Sequence, residues 1–380
     1  MPLRPRKQRG GGFYWLLAVA GLVLLGWVLW KSARVSGPAG LPPLAGLSRL
    51  QSNLLVRIQP VVAVTNPPLI PALSLTNPPT TRFVVTNAPS KVRSTKLPAE
   101  NILAFQLALA RQGISCGSFD GVLGSQTRAA LRTLQLREGL TNTGELDEPT
   151  QARLSLDVPL YTTVVVASND LARLQPVSPT WLGKSQEDRL DYETVLELVA
   201  ELGHAHPDLI RRLNPGIDWN VVSVGTSLKL PNAEYPPPRA KAAFLRIRLA
   251  SKTLEAFDAS TNLLAHFPCS IARRVEKRPV GELHVARIAP NPSYRFDPDI
   301  FPESEEGRQL GRQLMIPPGP NNPVGTAWIG LDKPGYGIHG TPRPEEVGRT
   351  ESHGCFRLAN WNAEYLVKLV WVGMPVYVEP

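Results

Sequence analysis

Prolines settle the first question, how many folded pieces this chain can make. There are 38 of them, and much of that number falls within residues 36–98 and again around 231–238. Each proline fixes φ and removes a backbone donor, so clusters of them interrupt helices and sheets alike and mark connections between folded pieces. A chain of 380 residues divided in this way holds two or three domains, each with its own core, and is not one compact unit. Residues 31–98 show little helix or strand periodicity but carry a spaced echo: VTNPP at 64–68, LTNPP at 75–79 and VTNAP at 85–89. The direct reading is an extended proline-rich linker. A polyproline ligand for an aromatic groove is the alternative.

The formal charge of +9 gains meaning from its location. Arg4, Arg6, Lys7 and Arg9 precede FYWLLAVAGLVLLGWVLW, an uncharged run from Phe13 to Trp30 that is just long enough to span a bilayer. A basic flank before the run keeps the N-terminus in the cytoplasm, and Phe13, Tyr14, Trp15, Trp27 and Trp30 read as interfacial aromatic belts. The expectation is a basic cytoplasmic tail at 1–12 and a single transmembrane anchor at 13–30. Everything after Lys31 then lies on the periplasmic or extracytoplasmic side of the inner or cytoplasmic membrane. A cleaved signal peptide is the competing reading, but no convincing small-x-small site follows the run. Of the three cysteines, Cys116 and Cys269 could pair in an oxidising compartment, leaving Cys355 as the odd thiol; two independent buried thiols explain them equally well.

From Ala99 the pattern becomes helical. Ile102, Leu103, Gln106, Leu107 and Ala110 share one face, and Gly113 supplies a stop. A second helix follows the turn SFDGVLG, with Ser125 as its expected cap and Ala129, Leu131, Leu134 and Leu136 as its expected buried face. A third begins near Pro149. FDGVLGSQTRAALRTLQ and TGELDEPTQARL resemble a three-helix peptidoglycan-binding domain over 99–155, in the order Asp-Gly turn, G-x-x-T-x-x-A, D-x-x-T.

Residues 160–232 hold a strand, YTTVVVAS, two helices in YETVLELVAELG and HPDLIRRLNPG, and a closing strand in VGTSLKLP. LIRRLNPGIDWNVVSVGTSLKLP resembles the second half of a LysM module, a family that binds glycans rich in N-acetylglucosamine. The first half departs from that family, with an insertion running to about Arg189 and no Gly-Asp-Thr turn. His204 and His206, at a helix end, are expected as solvated surface residues and not as a metal pair.

After YPPP, the sequence FLRIRLASKTLEAF alternates Leu245, Ile247 and Leu249 with arginines, as a half-buried strand does. Short strands continue to YGIHG, and NWNAEYLVKLVWVG reads as a helix capped by Asn360 that buries Trp361, Tyr365, Leu366 and Leu369. Within IHGTPRPEEVGRTESHGCFRL, two histidines and one cysteine each adjoin a glycine. A metal site could use His339, His353 and Cys355, but no second thiol or helical ligand spacing accompanies them. Accidental neighbours in a core would explain neither the glycines nor the polar loop between. Nucleophilic catalysis explains both: an imidazole takes the thiol proton, and glycines let backbone amides approach a substrate carbonyl as an oxyanion hole.

IHGTP followed by SHGCFRL resembles the signature of the L,D-transpeptidase (YkuD-like, ErfK/YbiS-type) catalytic domain, and NNPVGTAWIGLDKPGYGIHG, the helix start NAEYL and the last strand MPVYVEP fit the same family. The resemblance implies a β-rich domain over 243–380. It also implies cleavage after the third residue of a peptidoglycan tetrapeptide stem, release of D-alanine and acyl transfer from cysteine to an amine of another stem. By position it makes Cys355 the nucleophile, His339 the general base and Gly340 the carbonyl that orients it. Gly354 and His353 lie beside the nucleophile, with Ser352, Arg357 and Tyr336 shaping the substrate site. Two departures stand out: KRPVG, with Arg278 where the family has threonine in Thr-Pro-x-Gly, and Phe356 where a small aliphatic residue is usual.

The expected fold class is multidomain: an N-terminal single transmembrane helix, a small three-helix peptidoglycan-binding domain, an α+β LysM-like unit and a C-terminal β-rich catalytic domain. No cofactor or metal is implied. The expected partners are peptidoglycan stem peptides and glycan strands, and the membrane through residues 13–30, with no nucleic acid. An L,D-carboxypeptidase or amidase using the same Cys/His site, or a non-catalytic wall-binding scaffold, are the competing functions.

Overall fold

The computed structural model describes residues 97–301, 304–350, 352 and 354–380. The basic tail, the apolar run at 13–30 and the linker up to residue 96 lie outside the described residues. Among the described residues, no helix is long and apolar enough to cross a membrane.

The first domain contains α1 (Ala99–Ala110), α2 (Ser125–Arg137) and the short α3 (Glu148–Gln151). Of the expected face of α1, Leu103, Gln106, Leu107 and Ala110 are buried and Ile102 only partly so, while Ala108 and Leu109 outside it are buried as well, because the C-terminal half of the helix is enclosed on all sides. The face of α2 is not: Ala130, Leu131 and Leu134 are buried, Ala129 is only partly so, and Leu136 is 58% exposed. Leu136 follows Leu134 by two residues, about 200° around the helix axis, so both cannot face one core. Nor does Ser125 cap α2; Gly124 occupies that position without a side-chain bond. Asp147 does cap α3, accepting from the Thr150 amide at 3.0 Å. Two buried glutamines hold the turns. Gln106 accepts from the Gly121 amide at 3.0 Å and donates to Asp120 at 2.9 Å, while Gln135 accepts from the Gly144 amide at 2.8 Å.

The middle unit runs β1 (Tyr161–Val165), α4 (Ser168–Ala172), α5 (Trp181–Ser185), α6 (Val195–Leu202), α7 (Pro207–Leu213) and β2 (Ser227–Pro231), with β1 and β2 antiparallel. Its core includes Leu103, Leu107 and Phe119 of the first domain, so the two share an apolar interior. The insertion carrying α4 and α5 packs on the C-terminal domain: Leu190 is fully buried, its amide donating to Pro318 at 2.9 Å, and the Trp181 ring stacks on Phe296 at 4.2 Å. His204 is not the solvated residue expected. Its ring stacks on Trp361 at 4.9 Å and Tyr235 at 5.5 Å, its Nδ1 has no partner among the described residues, and burial pulls its pKa down to about 3. A helix end is solvated only where nothing packs on it, and here the connecting segment and the C-terminal domain both do. His206 caps α7, its Nδ1 accepting from the Asp208 amide at 3.1 Å.

The C-terminal domain is built on an eight-stranded sheet in the order β11-β10-β9-β6-β12-β3-β4-β5. Its strands are β3 (Phe244–Arg248), β4 (Thr253–Phe257), β5 (Leu263–Pro268), β6 (Gly281–Pro290), β9 (Ala327–Leu331), β10 (Gly337–His339), β11 (Phe356–Arg357) and β12 (Pro375–Glu379). A separate hairpin, β7 (Tyr294–Phe296) and β8 (Leu314–Ile316), flanks α8 (Glu305–Leu310). Leu245 and Ile247 face inward, as the alternation predicts, and α9 (Asn360–Leu369) buries Trp361, Tyr365, Leu366 and Leu369. Asn360 does not cap α9; Ala359 holds that position, and the Asn360 side chain is used elsewhere. The open edge of β5 is covered by the first domain: the Ser115 amide donates to His266 at 2.8 Å and the His266 amide to Gly113 at 2.9 Å. Cys116 and Cys269 are both buried free thiols and do not pair.

Candidate active site

Strand register brings the candidate residues together. β10 pairs in parallel with β11, Ile338 opposite Phe356 and His339 opposite Arg357. Before Phe356 the chain bends at Gly354 and Cys355, and the Cys355 thiol lies against the Gly337 backbone at the start of β10. Neighbouring side chains leave opposite faces of a strand, so His339 and Arg357 share one face while buried Ile338 and Phe356 share the other, and the Arg357 charge acts on both the His339 ring and the Cys355 thiol. The His339 carbonyl accepts from Leu358 at 2.8 Å, extending the pairing past the thiol.

His339 is 5% exposed, and its Nδ1 lies 2.6 Å from the Gly340 carbonyl. A carbonyl can only accept, so Nδ1 carries the proton and Nε2 is left as the proton acceptor. Burial pulls the imidazole pKa down to about 4, with the Gly340 carbonyl opposing and Arg357 assisting. The ring stacks against Trp328 at 5.6 Å. Gly337 makes room for that indole, since a β-carbon there would sit 2.5 Å from it.

Cys355 is half-buried, its Sγ 3.5 Å from the Gly335 carbonyl. Burial pushes the thiol up to about 11, against the Gly337 backbone and the Arg357 charge, which both favour the thiolate. Both shifts favour the neutral forms of thiol and imidazole near neutral pH. Burial also lowers Arg357, although Cys355 and Glu346 act in the other direction.

The turn around the thiol is tied by Ser352, whose hydroxyl donates to the Cys355 carbonyl and accepts from the Gly354 amide at 3.2 Å. Residues 270–273 brace this turn, with the Ser352 amide donating to Ile271 at 2.8 Å and the Arg357 amide to Ser270 at 3.1 Å. Arg278, the departure noted in KRPVG, donates to the Ala272 carbonyl at 2.8 Å and so supports the brace. Phe356, the other departure, fills the core behind the thiol at 1% exposure. Tyr336 is half-buried beside Gly354, with the Lys333 ammonium 4.9 Å above its ring. His353 lies outside the described residues. The loop between His339 and Cys355 also meets the first domain: Gln126 donates to the Val347 carbonyl, and Arg349 lies 3.5 Å from Asp120.

Trp328 and the brace at 270–273 were not legible as site residues. The alternation in TAWIGL does set Trp328 opposite Ile329, but an aromatic on a strand is more often core than site, and the brace is a contact between segments distant in sequence.

Residues 242–378 match the family described as "L,D-transpeptidase catalytic domain", and residues 98–154 match the "Putative peptidoglycan binding domain" family. "Putative L,D-transpeptidase YkuD" of Bacillus licheniformis is 26% identical over 50% of this chain and 94% of its own length. "Putative L,D-transpeptidase YqjB" of Bacillus subtilis is 37% identical over 26% of this chain and 51% of its own length. "Probable L,D-transpeptidase ErfK/SrfK" of Salmonella typhimurium is 29% identical over 43% of this chain and 53% of its own length. The chain thus spans nearly all of the first relative but about half the length of the other two. A solved L,D-transpeptidase from Mycobacterium smegmatis aligns over 42% of this chain and 65% of its own at 19% identity, with a TM-score of 0.29.

Proposed function

We propose that this chain, whose residues 242–378 belong to the L,D-transpeptidase catalytic domain family, is a peptidoglycan L,D-transpeptidase. It forms 3-3 cross-links, or attaches a protein to the wall, through a cysteinyl acyl-enzyme. The observation that carries this reading is the 2.6 Å contact of His339 Nδ1 with the Gly340 carbonyl, in a ring that shares the Arg357 charge with the Cys355 thiol. Nε2 of His339 takes the thiol proton as Sγ attacks the carbonyl of the third stem residue. The tetrahedral intermediate collapses, the C–N bond breaks, and D-alanine leaves with the proton that Nε2 returns to its amine. An acceptor amine then gives its proton to Nε2 while attacking the thioester, and the thiol regains a proton as the new amide forms.

In this reading the Cys355 amide is the oxyanion donor, because the Gly354 amide is already held by Ser352. Ser352, Arg357 and Tyr336 line the substrate site, and His353 helps to shape it. Residues 99–155 bind the wall, and residues 160–232 act as a degenerate LysM-like glycan-binding unit carrying an insertion. Together they raise the local concentration of a polymeric substrate around the catalytic domain at 243–380. Residues 13–30 anchor the chain as a single span and 31–98 extend it into the envelope, with 1–12 in the cytoplasm.

The test is to incubate the full chain in detergent with purified disaccharide-tetrapeptides and weigh the products. Free D-alanine with a cross-linked dimer is the expected result. Tripeptide alone would make the protein a carboxypeptidase, and unchanged substrate would leave a wall-binding scaffold.

A further inference from the structure

One buried residue against the Gly340–Thr341 peptide takes no part in the steps above. Asn360 is 1% exposed at the start of α9. Its Oδ1 accepts from the Thr341 amide at 3.0 Å and the Thr326 amide at 3.2 Å, and its Nδ2 donates to the Pro320 carbonyl at 3.3 Å. Two glycines exist around this oxygen. A β-carbon at Gly340 would lie 2.2 Å from Oδ1 and one at Gly325, whose φ is +62°, 2.0 Å from it.

The Thr341 N–H and the Gly340 C=O belong to a single peptide unit. That unit is planar and trans, so the two groups point in opposite directions. With the N–H held by Asn360, the C=O on the far side must face the His339 Nδ1, 2.6 Å away. The result is a continuous chain, amide oxygen to peptide N–H, peptide C=O to imidazole N–H, in which each bond polarises the next.

We infer that Asn360 is the positioning residue of the catalytic base: through the Gly340–Thr341 peptide it fixes the His339 tautomer and ring plane, keeping Nε2 unprotonated and aimed at the thiol face. The inference rests on reading Cys355 and His339 as nucleophile and base. The next two residues tie the same helical turn to the other domains. Trp361 stacks on His204, and Asn362 accepts from Tyr235 at 2.7 Å and donates to Ser115 at 3.2 Å. The turn bearing Asn360 is therefore fixed from three sides.

The experiment uses the full chain with Asn360→Ala, Gly340→Ala and the double variant. The readouts are kcat and KM on disaccharide-tetrapeptide, thermal unfolding, and the imidazole ¹⁵N shifts of His339. Misplacing a base by a fraction of an ångström to an ångström costs on the order of a hundredfold. Asn360→Ala should lower kcat by roughly tenfold to a hundredfold with KM within about twofold, and should move His339 away from a single Nδ1-protonated tautomer. Gly340→Ala, which drives a β-carbon into Oδ1, should do the same. The double variant should be no worse than the weaker single, since both perturb one peptide unit. Wild-type kcat in Asn360→Ala, an unchanged tautomer in either single variant, or losses that multiply in the double would overturn the inference. If Asn360→Ala fails to fold, the tautomer in Gly340→Ala decides. A wild-type chain that turns over no donor would strike the functional reading, while the tautomer shifts would still judge the role of Asn360.

Discussion

Lowering the pH is the simplest perturbation of the base, and the structure sets its size. An ordinary histidine, with a pKa near 6.5, is only about 3% unprotonated at pH 5. His339, drawn down to about 4 by burial, is about 90% unprotonated there. The two cases differ about thirtyfold in the fraction of enzyme able to accept the thiol proton. The sign is fixed: a lowered pKa extends the active form toward acid, so the acid limb of kcat/KM should fall near pH 4 and stay flat from about 5 to 8. Because kcat/KM reports the free enzyme, this limb belongs to the unliganded site. The assay is D-alanine release from a tetrapeptide at low donor concentration between pH 3.5 and 9. Alkylation of Cys355 by iodoacetamide, followed in parallel, should keep rising above pH 8.5 because the thiol is pushed up to about 11. An acid limb at 6 to 7 would mean an imidazole of ordinary pKa, and alkylation that levels off below pH 8 would mean a resting thiolate; either would refute a neutral pair built on a lowered imidazole.

Three further outcomes follow from the packing. In native protein an aromatic disulfide reagent should modify only Cys355, with Cys116 and Cys269 reacting only in denaturant, since burial raises both thiols; an intact mass two hydrogens lighter than the reduced chain would instead mean that they pair. Glu255→Ala should cost about 1–2 kcal/mol in urea unfolding, because it takes a buried carboxylate away from His266, which keeps only the Thr133 hydroxyl of α2 at that nitrogen, and from Arg248, which is 35% exposed and keeps Glu379; a change below about 0.5 kcal/mol would remove this network from the domain contact. His204, whose folded pKa of about 3 lies below its unfolded value, should lose stability as pH falls from about 6.5 toward 3, so His204→Phe should flatten the melting temperature over that range, and an equal slope in both proteins would place the titration elsewhere.

Much of the site could be read from the sequence because it is local. The pairs His339–Gly340 and Gly354–Cys355 are adjacent in sequence, and alternation in short strands sets which face each side chain takes. The wrong readings came where tertiary packing overrules local pattern. Leu136 carries the right residue type but lies on the wrong side of α2. His204 sits at a helix end that two other segments cover. Asn360 looks like a cap because asparagine favours that position, yet its amide is committed to Thr341 and Thr326, contacts that no spacing rule reveals. The insertion reads as a departure from the LysM family pattern, and only the structure reveals that Trp181 and Leu190 seat it on the C-terminal domain.

The central claim, that Cys355 forms an acyl-enzyme with His339 as its base, is tested most directly by intact-mass analysis of the full chain mixed rapidly with a disaccharide-tetrapeptide donor and no acceptor. The account predicts an adduct equal to the donor less D-alanine, mapped to Cys355 and absent from Cys355→Ala. It should form roughly a hundredfold to ten-thousandfold more slowly in His339→Ala and still form readily in His353→Ala. An adduct on any other residue, or a dead His353→Ala beside a nearly wild-type His339→Ala, would contradict it.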